Sequence, residues 1–174
     1  MRWIYLLFHF SEDPTIQSFM PRQHPAYPDK PPMVWAIDEE RAPLYFFPRD
    51  CPRIGYWAIE TTTTEDQLTF FSHTTAKKIV AIEGKWLEKI MTTKLYVYHF
   101  PESSFYCLDR GAGYYVSHEE VQPIDRKPVG SLLQRLVEAD VELRITPSLV
   151  PLKNALIHSS LHFSMVRMRN AQLS

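Results

Sequence analysis

Glycine is scarce in this sequence, with five in 174 residues. A glycine-rich phosphate loop or a GxGxxG turn needs several glycines within a few positions, and neither is present. Cysteine is scarcer still. Cys51 and Cys107 are too few for a disulfide scaffold or a cysteine zinc site. Two free, partly buried thiols are the expectation, with a single bridge as the alternative. An excess of one charge is also missing. Lys and Arg number 19 against 20 Asp and Glu, and no long basic run occurs. The electrostatic footprint of a duplex nucleic-acid binder is therefore absent. No apolar run reaches the roughly 20 residues that a membrane-spanning helix needs. The stretch Trp3–Phe10 is shorter, lacks a small-residue cleavage site and runs into Ser11, Glu12 and Asp13. It reads as a buried first strand rather than a signal peptide, which makes a cytoplasmic location the expectation.

Core material is ample. Apolar residues make up 45% and aromatics 13%, so a domain of this size needs no staples. Charged residues, at 22%, sit near the usual share for a soluble domain. The length suits one domain, so residues 1–174 are expected to fold as a single α+β unit.

Patterning supplies the elements. Trp3–Phe10 is apolar on both faces, with Tyr5, Leu7 and His9 on one side by alternation. Ser11–Pro32 carries Pro14, Pro21, Pro25, Pro28, Pro31 and Pro32 and is expected to be a long pinned loop, with one turn around Thr15–Phe19. Val34–Ile37, Ile54–Ile59, Lys78–Glu83, Lys94–Phe100, Phe105–Leu108, Tyr114–Ser117, Val121–Ile124 and Val141–Thr146 read as strands. Asp38 is expected to cap a helix over Glu39–Phe46, shortened or kinked by Pro43. Gly84–Thr92 reads as a helix burying Trp86, Leu87, Ile90 and Met91. Ser131 and Gln134 form a capping-box pattern opening a helix through Ala139, with Leu132, Leu133, Leu136 and Val137 buried. Ser148–His158 reads as helical. Strands outnumber helices without strict alternation, which predicts an α+β fold with a mostly antiparallel sheet and a few short helices.

The chemistry-bearing residues are few. No HExxH occurs, and of the seven histidines only His158 and His162 stand at i, i+4, so no metal site is expected. Cys51 has Arg49 and Arg53 close by, and cations lower a thiol pKa. Its plainer reading is a small loop residue among surface charges. His9 ends an apolar strand beside a polar run, where its ring could bond a ligand; a satisfied, half-buried histidine is the bland reading. Tyr114–Glu120 combines aromatics, a hydroxyl and the acids Glu119 and Glu120, which could position a ribose or simply form a solvated strand end.

Several segments together resemble an uncharacterised bacterial family. They are Tyr5-Leu6-Leu7-Phe8-His9-Phe10-Ser11-Glu12, then Ile16, Phe19, Pro21 and Arg22, then Val34-Trp35-Ala36-Ile37-Asp38-Glu39-Glu40 and Phe47-Pro48-Arg49-Asp50-Cys51-Pro52-Arg53. A more distant likeness is to the ADP-ribosyltransferase fold, of the rifampicin-modifying and RNA 2′-phosphotransferase type. Its first strand carries a histidine that contacts the NAD ribose, and His9 occupies the matching place. Val34–Ile37 and Asp38–Ala42 are similar to its tyrosine-alanine-threonine strand and following helix, with Trp35 where tyrosine is usual. Lys94–Tyr98 and Tyr114–Ser117 are similar to later strands, and the third motif falls on Glu119 or Glu120.

The resemblance implies an NAD- or ribose-phosphate-binding transferase. His9 would bond a ribose hydroxyl, Trp35, with Tyr45 as the second candidate, would stack on the base, and Glu120, or Glu119, would steady the oxocarbenium-like centre. Arg22, Arg49 and Arg53 would face phosphates. Two further readings stand beside it. A non-enzymatic domain could use Trp3, Trp35, Trp57 and Trp86 and the proline-rich loop to bind a small molecule or a protein. A homo-oligomeric structural protein could use its edge strands.

Overall fold

The structure is a computed structural model that describes residues 5–173. Trp3 and Ile4, the head of the expected first strand, lie outside the described residues. The strands in chain order are β1 (Leu6–Ser11), β2 (Val34–Ile37), β3 (Arg53–Trp57), β4 (Lys78–Glu83), β5 (Tyr96–Pro101), β6 (Tyr106–Asp109), β7 (Tyr114–Ser117), β8 (Asp125–Pro128), β9 (Val141–Thr146) and β10 (His162–Val166). The helices are α1 (Thr64–Phe71), α2 (Leu87–Thr92), α3 (Leu132–Glu138) and α4 (Val150–Leu156). The fold is α+β, as the mix of strands and short helices predicts.

The chain divides into two compact units. The first takes the chain up to Phe46 together with Lys94–Gly130, and the second takes Phe47–Thr93 with Ser131 onward. The first unit holds a sheet of order β6-β7-β2-β1-β5-β8, in which every neighbouring pair is antiparallel. Its core gathers Leu7, Phe19, Val34, Ala36, Tyr98, Phe100 and Val121. The outer strand β8 is exposed along its whole length, and its Asp-Arg-Lys-Pro sequence is the charged, proline-ended kind that blunts a sheet edge.

The second unit holds a sheet of order β10-β3-β4-β9. β4 and β9 run parallel, while the other pairs are antiparallel. Ile54, Tyr56, Ile79, Ala81, Leu149, Leu156 and Leu161 form its core. Glu83, at 0% exposure, ends β4. Its Oε1 accepts the backbone N–H of Gln172 at 2.9 Å and of Leu149 at 3.4 Å, and Lys85 Nζ stands 3.3 Å from Oε2. A carboxylate so buried persists because two backbone donors meet Oε1 and an ammonium stands beside Oε2, although Oε2 accepts no hydrogen bond among the described residues.

Several expectations are corrected. The helix expected over Glu39–Phe46 is a single 3-10 turn at Ala42–Tyr45 with Pro43 in its first turn. Proline supplies no N–H, and Asp38 caps only a local turn, its Oδ1 accepting from Arg41 N at 2.8 Å. Val121–Ile124 is not a strand. Val121 makes one bridge to Phe19, and the pairing is taken up next door by β8. Thr64–Phe71, which had no assignment, is α1, capped by Thr63 Oγ1 accepting from Asp66 N. Met91 and Val137 were expected on buried helix faces but are 59% and 66% exposed. His158 and His162 do not share a helix, because His162 begins β10. Among the described residues no helix is long and apolar enough to cross a membrane.

Candidate functional site

In the first unit the residues of interest gather where β1 and β2 begin to part. β1 pairs with β5 at six positions but with β2 at one, Phe8 to Ile37. Beyond that pair His9 Nδ1 reaches the backbone carbonyl of Trp35 at 2.9 Å. A side chain therefore takes a carbonyl that a longer ladder would give to a backbone N–H. A carbonyl can only accept, so in the neutral ring Nδ1 carries the proton and Nε2 is the acceptor nitrogen. The ring is half-buried, with Phe19 edge-on at 4.8 Å and Phe100 at 6.3 Å.

Phe19 comes from the proline-rich loop, which is pinned at several points. Tyr98, at 0% exposure, donates its hydroxyl to Asp13 O at 2.7 Å and accepts from Ile16 N at 3.2 Å. Arg126 donates to Pro14 O. Phe19 and Val121 exchange both backbone bonds, at 2.8 and 3.0 Å, and so do Arg22 and Met33, at 3.0 Å each. Glu120 immediately precedes Val121 in sequence, which ties this exposed acid to the segment covering His9. Glu119 is exposed too, its N–H donating to Ser117 Oγ at 3.2 Å.

Pairing fixes which side chains share a face. Residues directly opposite in an antiparallel pair project to one side, and neighbours along a strand alternate. Phe8 opposite Ile37 puts Trp35, Ile37 and, through β7, Tyr114 and Val116 on one face. Leu7, His9, Val34 and Ala36 fall on the other. The structure thus brings His9 to the Trp35 backbone while sending the Trp35 indole to the opposite side.

On that opposite side lies an aromatic group. His24 and Tyr27, from the loop, stand 4.9 and 5.2 Å from the Trp35 ring, and Tyr114 meets it edge-on at 5.6 Å. Tyr45 donates to the Tyr114 hydroxyl at 3.3 Å. Burial, then the charges of Tyr114 and Asp109, push the Tyr27 pKa up. Trp35 Nε1 is buried with no hydrogen-bond partner among the described residues. Gly113 shapes the same end of β7. A Cβ there would stand 2.6 Å from Arg41 Cγ and 2.7 Å from Asp38 Oδ1, so only glycine lets these groups close in.

The remaining predicted residues fall on both units. Arg22 is exposed on the first unit. Arg49 and Arg53 belong to the second unit. Arg53 is buried at 4%, donates to Cys51 O at 2.9 Å and lies over the Phe47 ring at 5.2 Å. Cys51 is fully buried. Burial pushes its thiol up to about 11, outweighing the opposing pull of Arg53. Cys51 and Cys107 are both free, and Cys107 is exposed. Tyr114 stands in the Tyr114–Glu120 run that the sequence marks for chemistry, whereas His24 and Tyr27 carry no such mark. The signal for those two is aromatic density in the segment leading to Trp35. No group of three or more metal-ligating side chains occurs among the described residues.

A family model matches residues 8–171, and its description is a family of unknown function, DUF6886. No curated protein and no solved structure gives a significant match.

Proposed function

The chain belongs to the family of unknown function DUF6886, and we propose that it binds NAD or a related ribose phosphate through His9 and acts as a transferase of ADP-ribosyltransferase type. The observation that supports this is the hydrogen bond from His9 to the Trp35 carbonyl, which makes Nε2 an acceptor in a fixed orientation. A ribose hydroxyl is a donor, and a partner already held in place binds it with little ordering cost. Glu120, tethered through Val121 and Phe19, is the acid for a developing oxocarbenium charge. Arg22 offers its fork to a phosphate.

A second reading has its own observation. The rings of Tyr27, Trp35, Tyr114 and Tyr45 form one group on the reverse face, with an indole N–H that lacks a partner among the described residues. Such a surface can hold a planar ligand without chemistry.

Calorimetric titration with NAD, with His9→Ala and Tyr114→Ala beside the parent, separates the two. The transferase reading expects affinity to fall at least tenfold in His9→Ala and to survive in Tyr114→Ala. The reverse pattern moves the ligand to the aromatic face. No heat with any of the three proteins removes NAD as the ligand.

A further inference from the structure

The second unit carries a group of arginines that the reading above leaves unused. β10 ends at Val166, Arg167 turns into left-handed backbone (φ 55°, ψ 31°), and a 3-10 turn follows at Met168–Asn170. Left-handed backbone is uncommon for a side chain as long as arginine, so something must hold it. Three bonds do so: Arg167 Nε donates to Arg49 O at 3.2 Å, Asn170 Nδ2 to Asp50 O at 2.7 Å, and Asn170 N to Arg167 O at 2.9 Å. The turn sets a half-buried Arg167 against the backbone of the exposed Arg49, with Arg169 exposed beside it.

The electrostatics are unfavourable as they stand. Burial first, then the cations of Arg169 and Arg49, hold Arg167 below the usual arginine pKa, and Asp50 opposes them. Among the described residues the two terminal amino groups of Arg167 have no acceptor, and neither does any part of the Arg169 guanidinium. Like charges drawn together by backbone bonds, with donors to spare on Arg167 and Arg169 among the described residues, describe a place that an anion would complete.

We propose that Arg49, Arg167 and Arg169 form a binding site for the phosphate group of a small molecule. Guanidinium forks match phosphate oxygens in pairs, and a dianion answers several cations better than a single-charged carboxylate does. The near-neutral chain offers no longer basic track for a nucleic-acid strand.

Thermal melts in inorganic phosphate and pyrophosphate, against acetate and chloride at equal ionic strength, test the site. Phosphate and pyrophosphate are expected to raise Tm where acetate and chloride do not. Arg169→Gln is expected to weaken that response at least tenfold in concentration, while its Tm without anion equals or exceeds the parent's, since a repelling charge is gone. Arg167→Gln should weaken it as well. An equal response in the parent and Arg169→Gln overturns the site. So does an equal response to acetate. None of these anions carries ribose or base, so the outcome is separate from the role of His9.

Discussion

His9 Nδ1 stands 2.9 Å from the carbonyl of Trp35, at the point where the backbone pairing of β1 and β2 gives out after Phe8 and Ile37. The bond has a structural share apart from any ligand. His9→Ala leaves the carbonyl without that donor and is expected to cost about 1–2 kcal/mol. Urea melts measure this. A loss much larger than that would mean that the ring mainly supports the fold.

One hydroxyl, that of Tyr98, ties the loop over β1 at two points. Tyr98→Phe keeps the buried ring but removes the bonds to Asp13 O and Ile16 N. It is expected to cost roughly 1–3 kcal/mol, since both loop groups lose a partner. Limited proteolysis should then cut within residues 11–32 sooner than in the parent. An unchanged cleavage pattern would show that the Phe19 and Arg22 bridges suffice.

The two cysteines should react very differently. Cys51 is buried with its pKa raised to about 11, and the thiolate is the nucleophile. Native protein at pH 8 treated with iodoacetamide should be labelled at the exposed Cys107, with Cys51 labelled only after denaturation. Peptide mass spectrometry gives the order, and prompt labelling of Cys51 would contradict its burial.

Asp66 gives a pH-dependent contribution. Its carboxylate accepts from the Ser160 hydroxyl and, at 2.7 Å, from Ser160 N. These bonds hold its pKa below the usual aspartate value. A group depressed in the folded state stabilises above its unfolded pKa and loses that contribution as pH falls through the folded one. Asp66→Asn should therefore lower Tm near neutrality, and the gap should close below about pH 4. A gap independent of pH would assign the effect to shape rather than charge.

Strands with apolar residues on both faces, β2, β4 and β7, were readable at their observed bounds, and so was β9, whose apolar and polar residues alternate. β8 was not, because Asp125–Pro128 is wholly exposed and owes its place to backbone pairing with β5. Hydrophobicity drew attention to Val121–Ile124 instead. α1 escaped notice because none of its residues is buried, although Thr63 and Asp66 carried a capping signal. His9 could be placed on a strand from its neighbours, and alternation gave its side. That Trp35 points the other way depends on Phe8 meeting Ile37, and no local pattern encodes a pairing between distant segments.

The interleaving of the two units sets an order of assembly on the ribosome. β4 emerges ahead of β5 to β8, yet its partner β9 comes after them. The second sheet must wait as the β3–β4 pair, a form with little stability of its own, while the first sheet gains its last strand. The nascent chain thus finishes the sheet it began first before it can close the one begun second.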